Sequence, residues 1–96
     1  MAGTRPIKFR ILELCNGGKW NYEIVGQIQK EYGLKGNFQR DSINFDIIEL
    51  ASGGMLKDVE VKVDEEGIYK KGFLLHKYEL TDFGRARAAD ACLMYV

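Results

Sequence analysis

One proline, one histidine, one tryptophan and two cysteines are all that 96 residues hold of these four types, and the chain has neither a long apolar run nor a net charge. Each shortage excludes something. A lone histidine, His76, cannot form the histidine pairs of common zinc sites, and Cys15 and Cys92 are too far apart in sequence to give a zinc spacing. Each cysteine sits among apolar residues, which predicts small buried thiols. Without a stretch long enough to cross a bilayer, and with the amino-terminal MAGTRPIKFR lacking the apolar segment of a signal peptide, no membrane association and a cytoplasmic location are expected. Lysine plus arginine and aspartate plus glutamate number 14 each, and the pI is 6.6. A domain that lives on phosphate contacts usually carries a basic excess, so a nucleic-acid face here must come from uneven distribution of charge.

What is present is an ordinary globular composition, 46% hydrophobic and 11% aromatic, of a length that suits one domain with a modest core. No repeat, linker or low-complexity segment breaks it. Thr4 or Arg5 can cap a first helix, since Pro6 suits its first turn and Ile7, Ile11, Leu14 and Cys15 follow at helical spacing. Asn16, Gly17 and Gly18 end it. Lys19 and Trp20 form a short connection with a strand residue or two, and Asn21 caps a second helix whose Ile24, Val25, Ile28 and Tyr32 share one side and which Gly33 stops. A third helix is predicted over Phe38 to Ser52, closed by Gly53 and Gly54. Leu56 to Val63 then alternates, with Val59, Val61 and Val63 on one face and Asp58, Glu60 and Lys62 on the other. The polar stretch Asp64 to Gly72 follows as a loop, interrupted by Ile68 and Tyr69, so that part of it can extend the hairpin toward the strand Phe73 to Leu80.

The stretch LLHKYELTDFGRARA, Leu74 to Ala88, changes period at Thr81. Before it, residues alternate as in a half-buried strand; after it, Thr81 can cap a helix, Asp82 places negative charge in the first turn, and Gly84 permits close approach of another element. Tyr78, Leu80, Thr81 and Gly84 spell Y-x-L-T-x-x-G, and Leu50, Gly54, Met55 and Leu56 spell L-x-x-x-G followed by apolar residues. Both resemble junctions of winged-helix regulators of the MarR and PadR kinds, the first between wing and closing helix, the second between recognition helix and wing. The resemblance implies an α+β winged helix: a three-helix helix-turn-helix core over residues 4–54, a β-hairpin wing over 55–80 and a closing helix over 81–96.

Catalysis finds little footing. His76 reads as a hydrogen-bonded core or boundary residue, no phosphate-binding or dinucleotide fingerprint occurs, no serine has nucleophile surroundings, and Glu65 with Glu66 fits a solvated turn. No enzyme, no metal and no cofactor are expected. The resemblance instead implies sequence-specific binding of double-stranded DNA by a transcriptional regulator, with the third helix in the major groove and the wing beside it. Carried over by position, the contacting residues are Asn21 and Tyr22 opening the second helix, Gln39, Arg40, Ser42 and Asn44 on the third, and Tyr69, Lys70 and Lys71 on the wing. Glutamine, arginine and asparagine can each read a base edge, and serine can reach a phosphate. A pair of loop lysines is also commonly just solvated.

A helical wheel complicates that reading. Ile43, Ile47, Leu50 and Ala51 face the core with Asn44 and Ile48 at its edge, while Asp41, Ser42, Phe45, Asp46, Glu49 and Ser52 lie opposite, acidic and without one basic residue. Phosphates repel such a surface. Either only the first turn, with Gln39 and Arg40, approaches DNA, or the fold serves as a protein-protein interaction module in which Phe45, with Phe38 and Ile48 near it, docks a partner. Phe45 packed beneath the wing or against the preceding helix is the third option. The last helix keeps apolar residues to its end, among them Phe83, Ala89, Leu93, Met94 and Val96, as expected for a homodimer formed through that helix.

Overall fold

A computed structural model describes residues 6–95, with side chains through residue 90. Its elements run α1 (Ile7–Leu14), β1 (Lys19–Trp20), α2 (Asn21–Tyr32), α3 (Asn37–Ser52), β2 (Leu56–Val63), β3 (Leu74–Leu80) and α4 (Asp82–Tyr95). The architecture is a mixed α+β fold in which helices pack on a three-stranded antiparallel sheet of order β1-β3-β2. No helix among the described residues is long and apolar enough to cross a membrane.

The helices close over one core because their apolar residues recur at helical spacing. Ile11, Leu12 and Cys15 from α1 meet Ile24, Val25 and Ile28 from α2 and Ile43, Ile47 and Leu50 from α3, with Leu56, Tyr78 and Leu80 of the sheet beneath. Burial raises the Cys15 thiol to about 12, with nearby Lys19 opposing, so the side chain is neutral and packs as a small apolar group. Phe9 is buried as well. Outside the core, α1 is tied to α2 by Arg10, whose Nε and Nη2 donate to the carboxylate oxygens of Glu31 at 2.7 and 2.8 Å.

The helix ends differ in detail from the sequence expectation. Thr4 and Arg5 lie outside the described residues, and the Pro6 carbonyl accepts the Arg10 N–H at 3.1 Å at the start of α1. Asn21 does not cap α2. Trp20 precedes the helix and its N–H donates to the Glu23 carboxylate at 3.0 Å, while Asn21 is already helical. Gly33 ends α2 with φ of 66°, a left-handed conformation that glycine adopts without steric cost, and the Leu34 N–H returns to the Gln29 carbonyl at 3.0 Å. A connection of residues 33–36 then leads into α3.

Two corrections concern the hairpin. Asp58 pairs with Tyr78 and Glu60 with Lys77, so Val59 is an inserted bulge residue and the alternation expected for Val59, Val61 and Val63 breaks there. As a result Asp58 shares a face with Val61 and Val63. The loop also does not extend the ladder as strand: β2 stops at Val63 and β3 begins at Leu74.

The join into α4 is built from backbone. Thr81 Oγ1 donates to the Gly54 carbonyl at 2.6 Å and accepts the Gly84 N–H at 2.9 Å, while the Thr81 N–H reaches the Met55 carbonyl at 3.2 Å. A Cβ placed on Gly84 would fall 2.0 Å from that same Met55 carbonyl oxygen. The end of α3 and the start of α4 are therefore bolted together, as the change of period at Thr81 suggests. Phe83 is exposed on α4, and the side chains of Cys92, Leu93, Met94 and Val96 lie outside the described residues.

Candidate functional site

The hairpin leans over α3 and leaves a cleft of about 160 Å³ lined by Asn21, Asn44, Ile48, Tyr69, Phe73, Leu74, His76 and Tyr78. Its floor is the face of β3 that carries Leu74, His76 and Tyr78, residues two apart and so on one side of the strand. The Val59 bulge brings Asp58 to this side, where its Oδ1 lies 3.0 Å from His76 Nδ1. His76 also stacks with Tyr78 at 5.9 Å between ring centres. It is a half-buried boundary residue with hydrogen-bond partners. Burial, then the charge of Asp58, pushes the Tyr78 phenol up to about 12.

The cleft rim is shaped by Asp64, a residue the sequence reading passes over as the first polar position of a loop. Its side chain is only 1% exposed. The carboxylate accepts the N–H groups of Ile68 and Tyr69 at 2.8 Å each and of Lys70 at 2.7 Å, so the loop winds round it. Burial opposes the negative charge, but the backbone hydrogen bonds outweigh it and hold the carboxyl below the usual carboxylate range. The loop is closed by Asp64 N–H on the Phe73 carbonyl and Gly72 N–H on the Asp64 carbonyl, at 2.8 and 2.9 Å. An aspartate opening a loop with glycine three residues on is the usual signal for such a turn, and Asp64 with Gly67 carries it.

The winding delivers Tyr69 to the first turns of α3. Arg40 lies over the Tyr69 ring at 4.6 Å and donates from Nη1 to the Tyr69 carbonyl at 3.3 Å, and the Tyr69 hydroxyl donates to Asp41 at 3.3 Å. Burial and then the Asp41 charge raise the Tyr69 phenol above its ordinary value, which keeps this hydroxyl a donor. Helix and loop are thereby latched.

This geometry sorts the residues expected to contact a ligand. Ser42 is exposed on α3, Gln39 and Asn44 are half-buried, and Asn44 lines the cleft. Lys70 and Lys71 are exposed on the loop, with the Lys70 ammonium 4.5 Å from the Phe73 ring centre. Arg40 and Tyr69 are turned to each other and hold the loop on the helix. Asn21 is 5% exposed, and its side-chain oxygen accepts the His76 N–H at 3.3 Å, so it joins α2 to β3. Tyr22 is drawn elsewhere, stacking with Trp20 at 6.3 Å, with the Lys62 ammonium 5.9 Å from its ring. Lys62 pairs with Leu75, on the hairpin face away from His76.

Phe45 is 61% exposed, so it packs neither beneath the hairpin nor into the preceding helix. Phe38 and Ile48 are exposed too, as are Phe73 and Leu74 across the cleft. Of the α3 acids, Glu49 pairs with Lys8 at 3.3 Å. Burial raises the Asp46 carboxyl, Lys8 opposing.

Neither the models of known protein families nor individual curated proteins match this chain. The surface must be read from its own chemistry. It offers amides, a hydroxyl and the carboxylates of Asp41, Asp46 and Glu49 on α3, two ammonium groups with the carboxylates of Glu65 and Glu66 on the adjoining loop, and apolar side chains beside them. Among the described residues no three histidine, cysteine, aspartate or glutamate side chains are grouped to hold a metal ion.

Proposed function

We propose that this chain is a winged-helix domain that binds double-stranded DNA, with α3 as the reading helix and the loop of residues 64–72 as the wing. The order of elements and the sheet order β1-β3-β2 support the fold reading, as does the Thr81 and Gly84 junction that motivated the resemblance to MarR-like and PadR-like regulators. The observation that carries the function is the latch of Arg40 and Asp41 on Tyr69. A duplex presents groove and phosphate backbone at fixed separation, so a protein that reads both needs its helix and wing held in one relation before contact. Here Lys70 and Lys71 are set beside the start of α3, where Gln39 and Ser42 stand with Asn44 one turn on.

The roles follow from chemistry. The amides of Gln39 and Asn44 suit adenine edges, the Ser42 hydroxyl a phosphate or base edge, and the two lysines the sugar-phosphate backbone. Arg40 is a positioning residue. The first turns of α3 make the approach, and the charge of Glu49 further along the helix is paired with Lys8.

Selection from a pool of randomised duplexes tests sequence reading. A common sequence should be enriched, and Gln39→Ala or Asn44→Ala should each relax the preference at one base position. Failure to enrich any sequence would remove the reading role of α3. A second reading, docking of a protein partner on the same face, is favoured by one observation, the outward Phe45 with Ile48, Phe73 and Leu74 nearby.

A further inference from the structure

Strand β2 lies at the sheet edge, since the order β1-β3-β2 gives it β3 alone as a neighbour among the described residues. Past Leu56 every side chain of the strand is exposed, Val59, Val61 and Val63 included. An unpaired edge of this kind is a template for another strand unless the protein blunts it. The Val59 bulge blunts its first half, but Glu60 to Val63 pairs regularly with Lys77 to Leu74. We propose that a second copy of this chain pairs antiparallel with this run, about a two-fold axis through Val61.

Charge complementarity chooses that occupant and that register. With the axis at Val61, Glu60 stands opposite Lys62 of the second copy, Lys62 opposite its Glu60, and Val61 opposite its Val61. The Lys62 ammonium, which in the single chain lies 4.6 Å over the Trp20 ring, turns from that ring to the facing carboxylate. Moving the axis to Glu60 sets Glu60 against Glu60 and leaves Asp58 facing Lys62 only across the Val59 bulge, moving it to Lys62 sets Lys62 against Lys62 and Glu60 against Asp64, and moving it by half a residue sets Glu60 and Lys62 against valines. The sheet faces agree. Glu60 and Lys62 pair with Lys77 and Leu75 on one side of the hairpin, Val61 and Val63 with His76 and Leu74 on the other. Ion pairs therefore form on one face while Val61, Val63 and Leu74 of both copies join into one apolar strip on the other, where lateral contact at Val61 shields part of the exposed apolar surface. This contact is separate from the pairing of last helices expected from the sequence.

Sedimentation velocity over a concentration series tests it. The unmodified chain should show a reversible monomer-dimer equilibrium. Glu60→Lys and Lys62→Glu each turn both ion pairs into like-charge pairs and should each weaken association by about tenfold or more. An equimolar mixture of the two variants should associate as the unmodified chain does, because every cross-strand pair is again of opposite sign. The doubly exchanged chain Glu60→Lys/Lys62→Glu should do the same by itself. An unmodified chain that stays monomeric, single variants that associate undiminished, or a mixture and a double exchange that both fail to restore dimers would each overturn the proposal.

Discussion

Glu31 and Arg10 join α2 to α1 through two parallel hydrogen bonds, and the Gln27 side-chain amide donates to the same carboxylate. The hydrogen bond from Arg10 is the main reason the Glu31 carboxyl falls to about 2, burial working against it. A folded-state value below that of the unfolded chain, about 4.3 for a free glutamate, means stability that is full above that pH and lost as pH falls toward the folded value. Glu31→Gln should accordingly cost about 1–2 kcal/mol at neutral pH, more than a simple surface pair because the geometry is two-pronged. Thermal melts of the two proteins should converge as pH drops from about 4 to about 2. A gap that stays constant over that range would show that the carboxylate charge does not stabilise the fold. At the same scale, Asn21 shows how residue type misleads. An asparagine at a helix start is a strong capping signal, but the helix begins one residue earlier, with Trp20 before it, and the buried Asn21 oxygen serves a strand N–H instead.

Among the elements, the join of α3 to α4 is the least tolerant of change. Gly84 faces the Met55 backbone so closely that Gly84→Ala drives a methyl group into a carbonyl, and backbone cannot move aside as a side-chain tip can. The substitution should destabilise by about 3 kcal/mol or more in chemical denaturation, at the upper end of overpacking effects. A loss under about 1 kcal/mol would mean that the turn after α3 shifts freely. This junction was legible because its determinants, Thr81, Asp82 and Gly84, are adjacent in sequence and act locally. The strand Leu56 to Val63 and the core side of α3 were legible for the same reason, since periodicity is a local property. The bulge at Val59 was not, because a bulge is a relation between β2 and β3, and a strict alternation of valines gives no sign of it. Nor was the pairing of Arg40 with Tyr69, since it depends on how the Asp64 carboxylate winds an otherwise plain polar loop.

At the scale of the whole molecule, equal numbers of acidic and basic residues are spread so that the face of α3 and the adjoining loop are chemically mixed. Asp41, Asp46 and Glu49 lie along α3, the loop carries exposed Glu65 and Glu66 as well as Lys70 and Lys71, and exposed apolar side chains stand among them. Affinity for duplex DNA would come mainly from Lys70 and Lys71, because phosphate contacts supply most of such binding. The measurement that tests this most directly is the affinity for a duplex across a salt series. The proposed function predicts that binding weakens linearly on a log-log scale as salt rises, and that Lys70→Ala/Lys71→Ala lowers the slope by about 2, one for each phosphate contact removed. A chain that binds no duplex even at low salt, or whose slope is unchanged by loss of both lysines, would contradict it.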